Sequence, residues 1–202
     1  MKNLAKFISV IFHPLIMPTL GLLIILYSGL DFTLFTFEQK KGIFLIIFLS
    51  TYVIPLSFMP FFMLRKSGFT IYMESARERL MPFLLTSAVY FIAFYFLRKI
   101  GIPSLILNYI FASAIAVLLT TVVTYFWKIS IHLVGIGGIT GLLFFMSINF
   151  NYDVFLFSTL TFLLAGFIGS SRLTLNAHSL SQVLAGYALG VFTAFLTLSF
   201  LA

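Results

Sequence analysis

The sequence predicts an all-α, polytopic integral membrane protein, a helical bundle of about six to seven transmembrane helices. Three observations lead there. Of the 202 residues, 61% are hydrophobic and only 8% charged, and the mean hydropathy of +1.16 lies far outside the range of a water-soluble domain. The apolar residues are gathered into runs of roughly 18–25, the length that crosses a hydrocarbon core. Between the runs stand Lys and Arg clusters, or Gly, Pro and Asn, the residues that end spans.

The first expected span, residues 7–30, follows Lys2 and Lys6 and contains His13, Pro14 and Pro18. No small-residue cleavage site follows it, so it is expected to stay in the protein rather than leave as a signal peptide. The second, residues 42–64, runs from Lys40-Lys41 to Arg65-Lys66, and the third, residues 80–97, from Arg77 and Arg79 to Arg98-Lys99. The fourth, residues 103–126, begins at Pro103 and ends before Trp127-Lys128. Gly135, Gly137, Gly138 and Gly141 in the fifth, residues 131–148, imitate a dinucleotide loop. No strand precedes them, and close helix packing is the simpler account. The sixth, residues 153–168, is short enough to be tilted, kinked or partly re-entrant. The seventh, residues 178–201, carries a Gly186-xxx-Gly190 pair. No repeat or linker divides the chain, so residues 1–202 read as a single transmembrane domain.

The chain has no Cys, which excludes disulfides, thiolate nucleophiles and Cys metal sites. Its net charge of +7 does not imply nucleic acid, because a nucleic-acid surface needs a solvated face and most of this surface must meet lipid. Phosphates and anionic headgroups are the natural partners. Seven spans place Lys2, Lys6, Arg65, Lys66, Arg77, Arg79, Lys128 and Arg172 on one membrane side, against Glu74 and Glu78, a balance of +6. The other side holds Lys40, Lys41, Arg98 and Lys99 against Asp31, Glu38 and Asp153, a balance of +1. Without Arg77, Arg79, Lys128 and Arg172, four basic residues remain on each side, so the positive-inside rule does not choose an orientation.

Two polar islands interrupt the apolar sequence on the more basic side: Lys128-Ile129-Ser130-Ile131-His132, and Ser171-Arg172 with His178 six residues on. A third basic segment, Glu74 to Arg79, precedes Leu80 and Pro82 on the same side. Ionisable groups in such places are expensive and functional by default. Guanidinium groups, a Lys, a hydroxyl and two imidazoles suit a phosphate ester, because Arg offers paired donors to phosphate oxygens. Two His in one site allow one to attack phosphorus while the other protonates the leaving oxygen. His13 is read either as a further group facing this cavity or as part of a helix kink.

These residues resemble the type 2 phosphatidic acid phosphatase superfamily, membrane lipid phosphatases whose site is related to that of vanadium haloperoxidases. Its third motif, Ser-Arg, five residues, His, three residues, Asp, is matched by Ser171-Arg172, His178 and Gln182, with Gln at the Asp position. The second, Pro-Ser-Gly-His, is matched by Ile129-Ser130-Ile131-His132 in its Ser and His alone. The first, Lys, six residues, Arg-Pro, has only Arg77 or Arg79 with Pro82 beyond them; Thr70 and Tyr72 stand where the Lys belongs.

The resemblance implies a metal-independent lipid phosphatase with no cofactor. His178 would attack phosphorus to give a phosphohistidine that water hydrolyses, and His132 would protonate the leaving group. Arg172, Ser171, Ser130, Arg79, Arg77 and Lys128 would hold the phosphate, with Lys128 also read as an interfacial anchor beside Trp127. Gln182 would orient the His178 ring without the negative charge that an Asp supplies, with Glu74 or Glu78 as other sources of that charge. The substrate would be an isoprenyl pyrophosphate, phosphatidic acid, phosphatidylglycerol phosphate or a lipid A type phosphate, with its tail between helices. The expected setting is a multi-pass protein of the bacterial inner membrane. Alternatives are a lipid-phosphate transferase and a noncatalytic lipid-phosphate binding or transport protein.

Overall fold

A computed structural model describes residues 2–30, 34–64 and 76–201, excluding the side chains of 62–64 and 76–78. The described residues form helices and no strands: α1 (Lys2–Ile11), α2 (Met17–Leu26), α3 (Phe37–Phe48), α4 (Ile54–Leu64), α5 (Ala76–Lys99), α6 (Ser104–Phe126), α7 (Ile131–Phe150), α8 (Phe155–Thr174) and α9 (Leu180–Leu201). They make seven helical segments long and apolar enough to cross a membrane, as expected. The protein is an all-α, multi-pass membrane bundle.

The first two spans are each interrupted, for reasons visible in their prolines. Pro14 has no N–H and disfavours helix at the residue before it, and His13 accordingly takes φ −61°, ψ 136°. Helix α1 stops at Ile11, a 3-10 turn covers Pro14–Ile16, and α2 resumes the span at Met17. In the second span a π-helical turn, Leu49–Val53, separates α3 from α4. Pro55 cannot donate to the Thr51 carbonyl, and the buried Tyr90 hydroxyl donates to it instead at 2.9 Å.

The first span runs from Lys2 to Leu26 rather than over 7–30, α5 covers Ala76–Lys99 rather than 80–97, and three further boundaries also differ from the expected ones. Helix α3 begins at Phe37 rather than at 42, because Thr36 and Gln39 cap each other's backbone N–H in a capping box. Helix α8 is 20 residues long and not short; it continues to Thr174, so Ser171 and Arg172 lie in its last turn. Helix α9 starts at Leu180, which leaves His178 in the turn before it.

Helix α7 is the most buried span and packs most extensively against α9. Glycines permit the approach. A Cβ on Gly186 would stand 2.6 Å from the Ser130 carbonyl oxygen, and one on Gly190 would meet the Val134 carbonyl. Gly137 and Gly141 likewise lie against the α9 backbone at Tyr187 and Val191. The glycine series is therefore a helix-packing seam. It sets the first turns of α7 and α9 side by side, where the Ser130 N–H donates to the Gln182 carbonyl at 3.2 Å.

Candidate phosphate site

The turn between α8 and α9 is fixed at both ends by its sequence. Asn176 takes a left-handed conformation at φ 52°, the Ala177 N–H donates to the Arg172 carbonyl at 3.0 Å, and the Asn176 N–H to the Leu173 carbonyl at 2.9 Å. This is a Schellman stop for α8. Ser179 and Gln182 then form the capping box that starts α9: the Gln182 N–H donates to Ser179 Oγ at 3.4 Å and the Ser179 N–H to Gln182 Oε1 at 3.1 Å. His178 is held between the two motifs, buried, one residue before the cap.

The capping box also determines which nitrogen of His178 carries the proton. Because the Ser179 N–H requires an acceptor, the Gln182 atom facing it is the amide oxygen. The same oxygen lies 3.2 Å from His178 Nδ1. In the neutral ring Nδ1 then donates, and Nε2 is left with its lone pair. Burial first, then the positive charges of Arg172 and Arg79, and less strongly Lys128, pull the His178 pKa down to about 4; the Gln182 bond opposes them. His178 is thus neutral at pH 7, beside three cationic side chains from three separate parts of the chain. Arg79 and Lys128 both make further interactions.

Arg172 reaches the cluster from the last turn of α8. Its Nη1 donates to Ser9 Oγ at 3.2 Å, while its buried Nε finds no hydrogen-bond partner among the described residues. Ser130 precedes α7 as its N-cap residue, but its hydroxyl caps nothing: it is fully buried and also without a partner. Two buried donors left without acceptors beside a helix N-terminus form an arrangement suited to an anion. His132, in the first turn of α7, directs Nε2 to the Ser9 carbonyl at 3.2 Å and lies within electrostatic reach of Arg172, His13 and His178.

Ser171 contributes indirectly. It is buried, its hydroxyl donates to the Ile168 carbonyl at 2.7 Å, and its other polar contact is Ser9 Oγ at 3.2 Å. Arg77 lies in α5 with its side chain outside the described set, and Glu74 lies outside the described residues. Both acidic groups that the sequence offered as sources of charge for His178 therefore go undescribed, since the Glu78 side chain is in the same set.

Two participants come from the first span. His13 Nδ1 accepts from the Leu15 N–H at 3.4 Å, and its ring stands edge-on to His132 with centroids 6.1 Å apart. It therefore both caps the turn at the kink and borders the cluster, so the two alternatives raised by the sequence coexist. Nothing in the sequence marks Ser9. It is one Ser in an apolar helix, with no spacing to a motif, and only the packing of α1 on α8 brings it to Arg172.

Beneath the cluster lies a cavity of about 50 Å³, lined among others by Pro14, Met17, Tyr90, Tyr109, Ile131 and Val134. Its walls are largely apolar, and Pro14 and Ile131 are chain neighbours of His13, Ser130 and His132. No group of three or more His, Asp or Glu side chains able to hold a metal ion occurs among the described residues. No protein-family model, curated protein or solved structure matches the chain.

Proposed function

We propose that this protein is a membrane lipid phosphatase that works through a phosphohistidine on His178, as the resemblance to the type 2 phosphatidic acid phosphatases suggests. The observation that carries the reading is the state of His178. It is neutral, protonated on Nδ1 through Gln182, and has its Nε2 lone pair available beside Arg172, Arg79 and Lys128. Nε2 attacks phosphorus as the P–O bond to the lipid breaks, and the lipid oxygen departs with a proton that the neutral His132 ring takes up from the bound phosphate monoanion and passes on. Water then cleaves the P–N bond and releases phosphate. Arg172 Nε and the Ser130 hydroxyl, both buried without partners, donate to the phosphoryl oxygens, where negative charge concentrates during transfer.

The setting of the cluster at the ends of membrane spans favours an amphiphile, with its phosphate at the cluster and its chain among the helices or in the surrounding lipid. Isoprenyl pyrophosphate, phosphatidic acid, phosphatidylglycerol phosphate and lipid A type phosphates all have this form. A bacterial inner membrane is the setting proposed for it. A lipid-phosphate transferase would use the same phosphohistidine with a different acceptor.

One observation favours a second reading. The Gln182 amide, already engaged in the capping box, brings no negative charge to His178. A site that retains the phosphate cradle without that charge suits a noncatalytic lipid-phosphate binding protein. The purified protein, assayed against a panel of these lipids with and without chelator, separates the readings. Phosphate release that survives chelation and disappears in His178→Ala supports the phosphatase. Release by His178→Ala removes the nucleophile assignment, and binding without release by the parent protein selects the second reading.

A further inference from the structure

The broken first span meets the cluster through Ser9 in two ways. In an unbroken helix the Ser9 carbonyl would accept the N–H of residue 13. Here α1 ends at Ile11, Phe12 closes the last turn by donating to the Ile8 carbonyl at 2.9 Å, and among the described residues no backbone N–H reaches the next carbonyl, that of Ser9. It is one of the carbonyls every helix end leaves without an intrahelical donor. His132 Nε2 lies 3.2 Å from it. Since a carbonyl only accepts, Nε2 of the neutral ring carries the proton and Nδ1 does not.

The Ser9 hydroxyl sits in a chain whose direction follows from counting protons. Ser171 donates to the Ile168 carbonyl, so it accepts from Ser9, and Ser9 in turn accepts from Arg172 Nη1. With Nη1 tethered in this way, the guanidinium edge bearing the partnerless Nε is oriented by Ser9.

We infer that Ser9 is a positioning residue of the phosphate site: its carbonyl, released by the Pro14 break, sets the tautomer of His132, and its hydroxyl fixes the guanidinium of Arg172. The inference rests on the proposed function for its catalytic meaning. With Nε2 tied to Ser9, the nitrogen of His132 that can take up and deliver a proton is Nδ1. The Ser9 carbonyl then does for His132 what the Gln182 amide oxygen does for His178. Each imidazole is oriented by a neutral acceptor at 3.2 Å, one supplied by a side chain and one by a helix end.

The test uses full-length protein in lipid nanodiscs with isotope-labelled His. Ring-nitrogen NMR reports the His132 tautomer, with the signal assigned by its loss in His132→Asn. The expected parent state is Nε2–H. Pro14→Ala restores an N–H and releases His13 from extended geometry, so α1 can extend and engage the Ser9 carbonyl. His132 then populates both tautomers, and kcat for lipid phosphate falls with KM little changed.

Ser9→Ala keeps the carbonyl and therefore the tautomer, but frees Arg172. Losing one such hydrogen bond weakens binding of inorganic phosphate by about 2- to 12-fold, and Ser9→Thr restores it. An unchanged His132 tautomer in folded Pro14→Ala, or unchanged phosphate affinity in Ser9→Ala, overturns the inference. If Pro14→Ala fails to fold, the Ser9 pair still decides. If the expected tautomer and affinity changes occur but the parent protein releases no phosphate from any lipid, the positioning role stands and the phosphatase reading falls.

Discussion

Replacing Gln182 with Glu is the most informative single change, because Glu at the third helical position keeps the capping box while adding the charge that His178 lacks. The amide oxygen lies 3.2 Å from Nδ1, so a carboxylate there would sit about 4 Å from the centre of an imidazolium. At an effective dielectric of about 20, that attraction is about 4 kcal/mol. One pKa unit corresponds to about 1.4 kcal/mol, so the His178 pKa, now about 4, should rise by about one to three pH units. The N-terminus of α9 is a favourable place for the new anion. If half of the attraction operates in the transition state, where positive charge develops on the ring, phosphate release at pH 8 should increase roughly thirtyfold.

The assay is kcat/KM for lipid phosphate release from pH 4 to 9, read beside an NMR titration of His178. In the parent protein the acid limb should lie near pH 4, because the nucleophile is lost only when His178 protonates. In Gln182→Glu both the limb and the titration should move up together. A His178 titration still near 4 in the variant would refute the placement of Gln182 on Nδ1. A raised pKa without faster turnover would refute the role of the ring as nucleophile.

Ser130→Ala should act with opposite signs on stability and binding. It removes a buried hydroxyl that lacks a partner, whose desolvation costs about 1–3 kcal/mol, so the ligand-free protein should melt higher while phosphate binds more weakly. Gly186→Ala should lower the melting temperature: the new methyl meets the Ser130 carbonyl, a backbone atom that cannot rotate away. Overpacking of this kind costs about 1–3 kcal/mol, against a helix-propensity gain of about 1 kcal/mol. The pH dependence of unfolding should also report His178. Its folded pKa of about 4 lies below the ordinary 6.5, so the unfolded chain binds the extra proton first and stability drains away as pH falls from about 6.5 to about 4. The difference in melting temperature between the parent and His178→Asn should therefore change across that window and be flat above it. A constant difference throughout would mean that His178 is not held neutral by burial and its cationic neighbours.

The turn that carries the site is legible in the sequence beyond the spacing of Ser171-Arg172, His178 and Gln182. Asn176 and Ser179-xx-Gln182 are recognisable stop and start signals, and together they place His178 outside α9 and Arg172 inside α8. The same local signal, Thr36-xx-Gln39, places the start of α3. By contrast, nothing local distinguishes Ser9 from other hydroxyls in apolar helices, such as Ser87, which bonds to the Ala114 carbonyl and serves packing.

Taken alone, the sequence determines that the chain spans a membrane, the seven spans, the kink at His13-Pro14 and the glycine packing, because each follows from hydrocarbon thickness or from backbone chemistry within a few residues. It also places the cationic and imidazole groups at the ends of spans. Only the tertiary structure decides which of those groups meet. The Ser130 N–H bond to Gln182, the reach of Arg172 to Ser9 and the pairing of His132 with a carbonyl from the first span all join residues more than 50 positions apart. Such bonds depend on how close two helices approach and on how each is turned about its axis. Those quantities are set by the summed packing of α1, α7, α8 and α9, and no local motif encodes them.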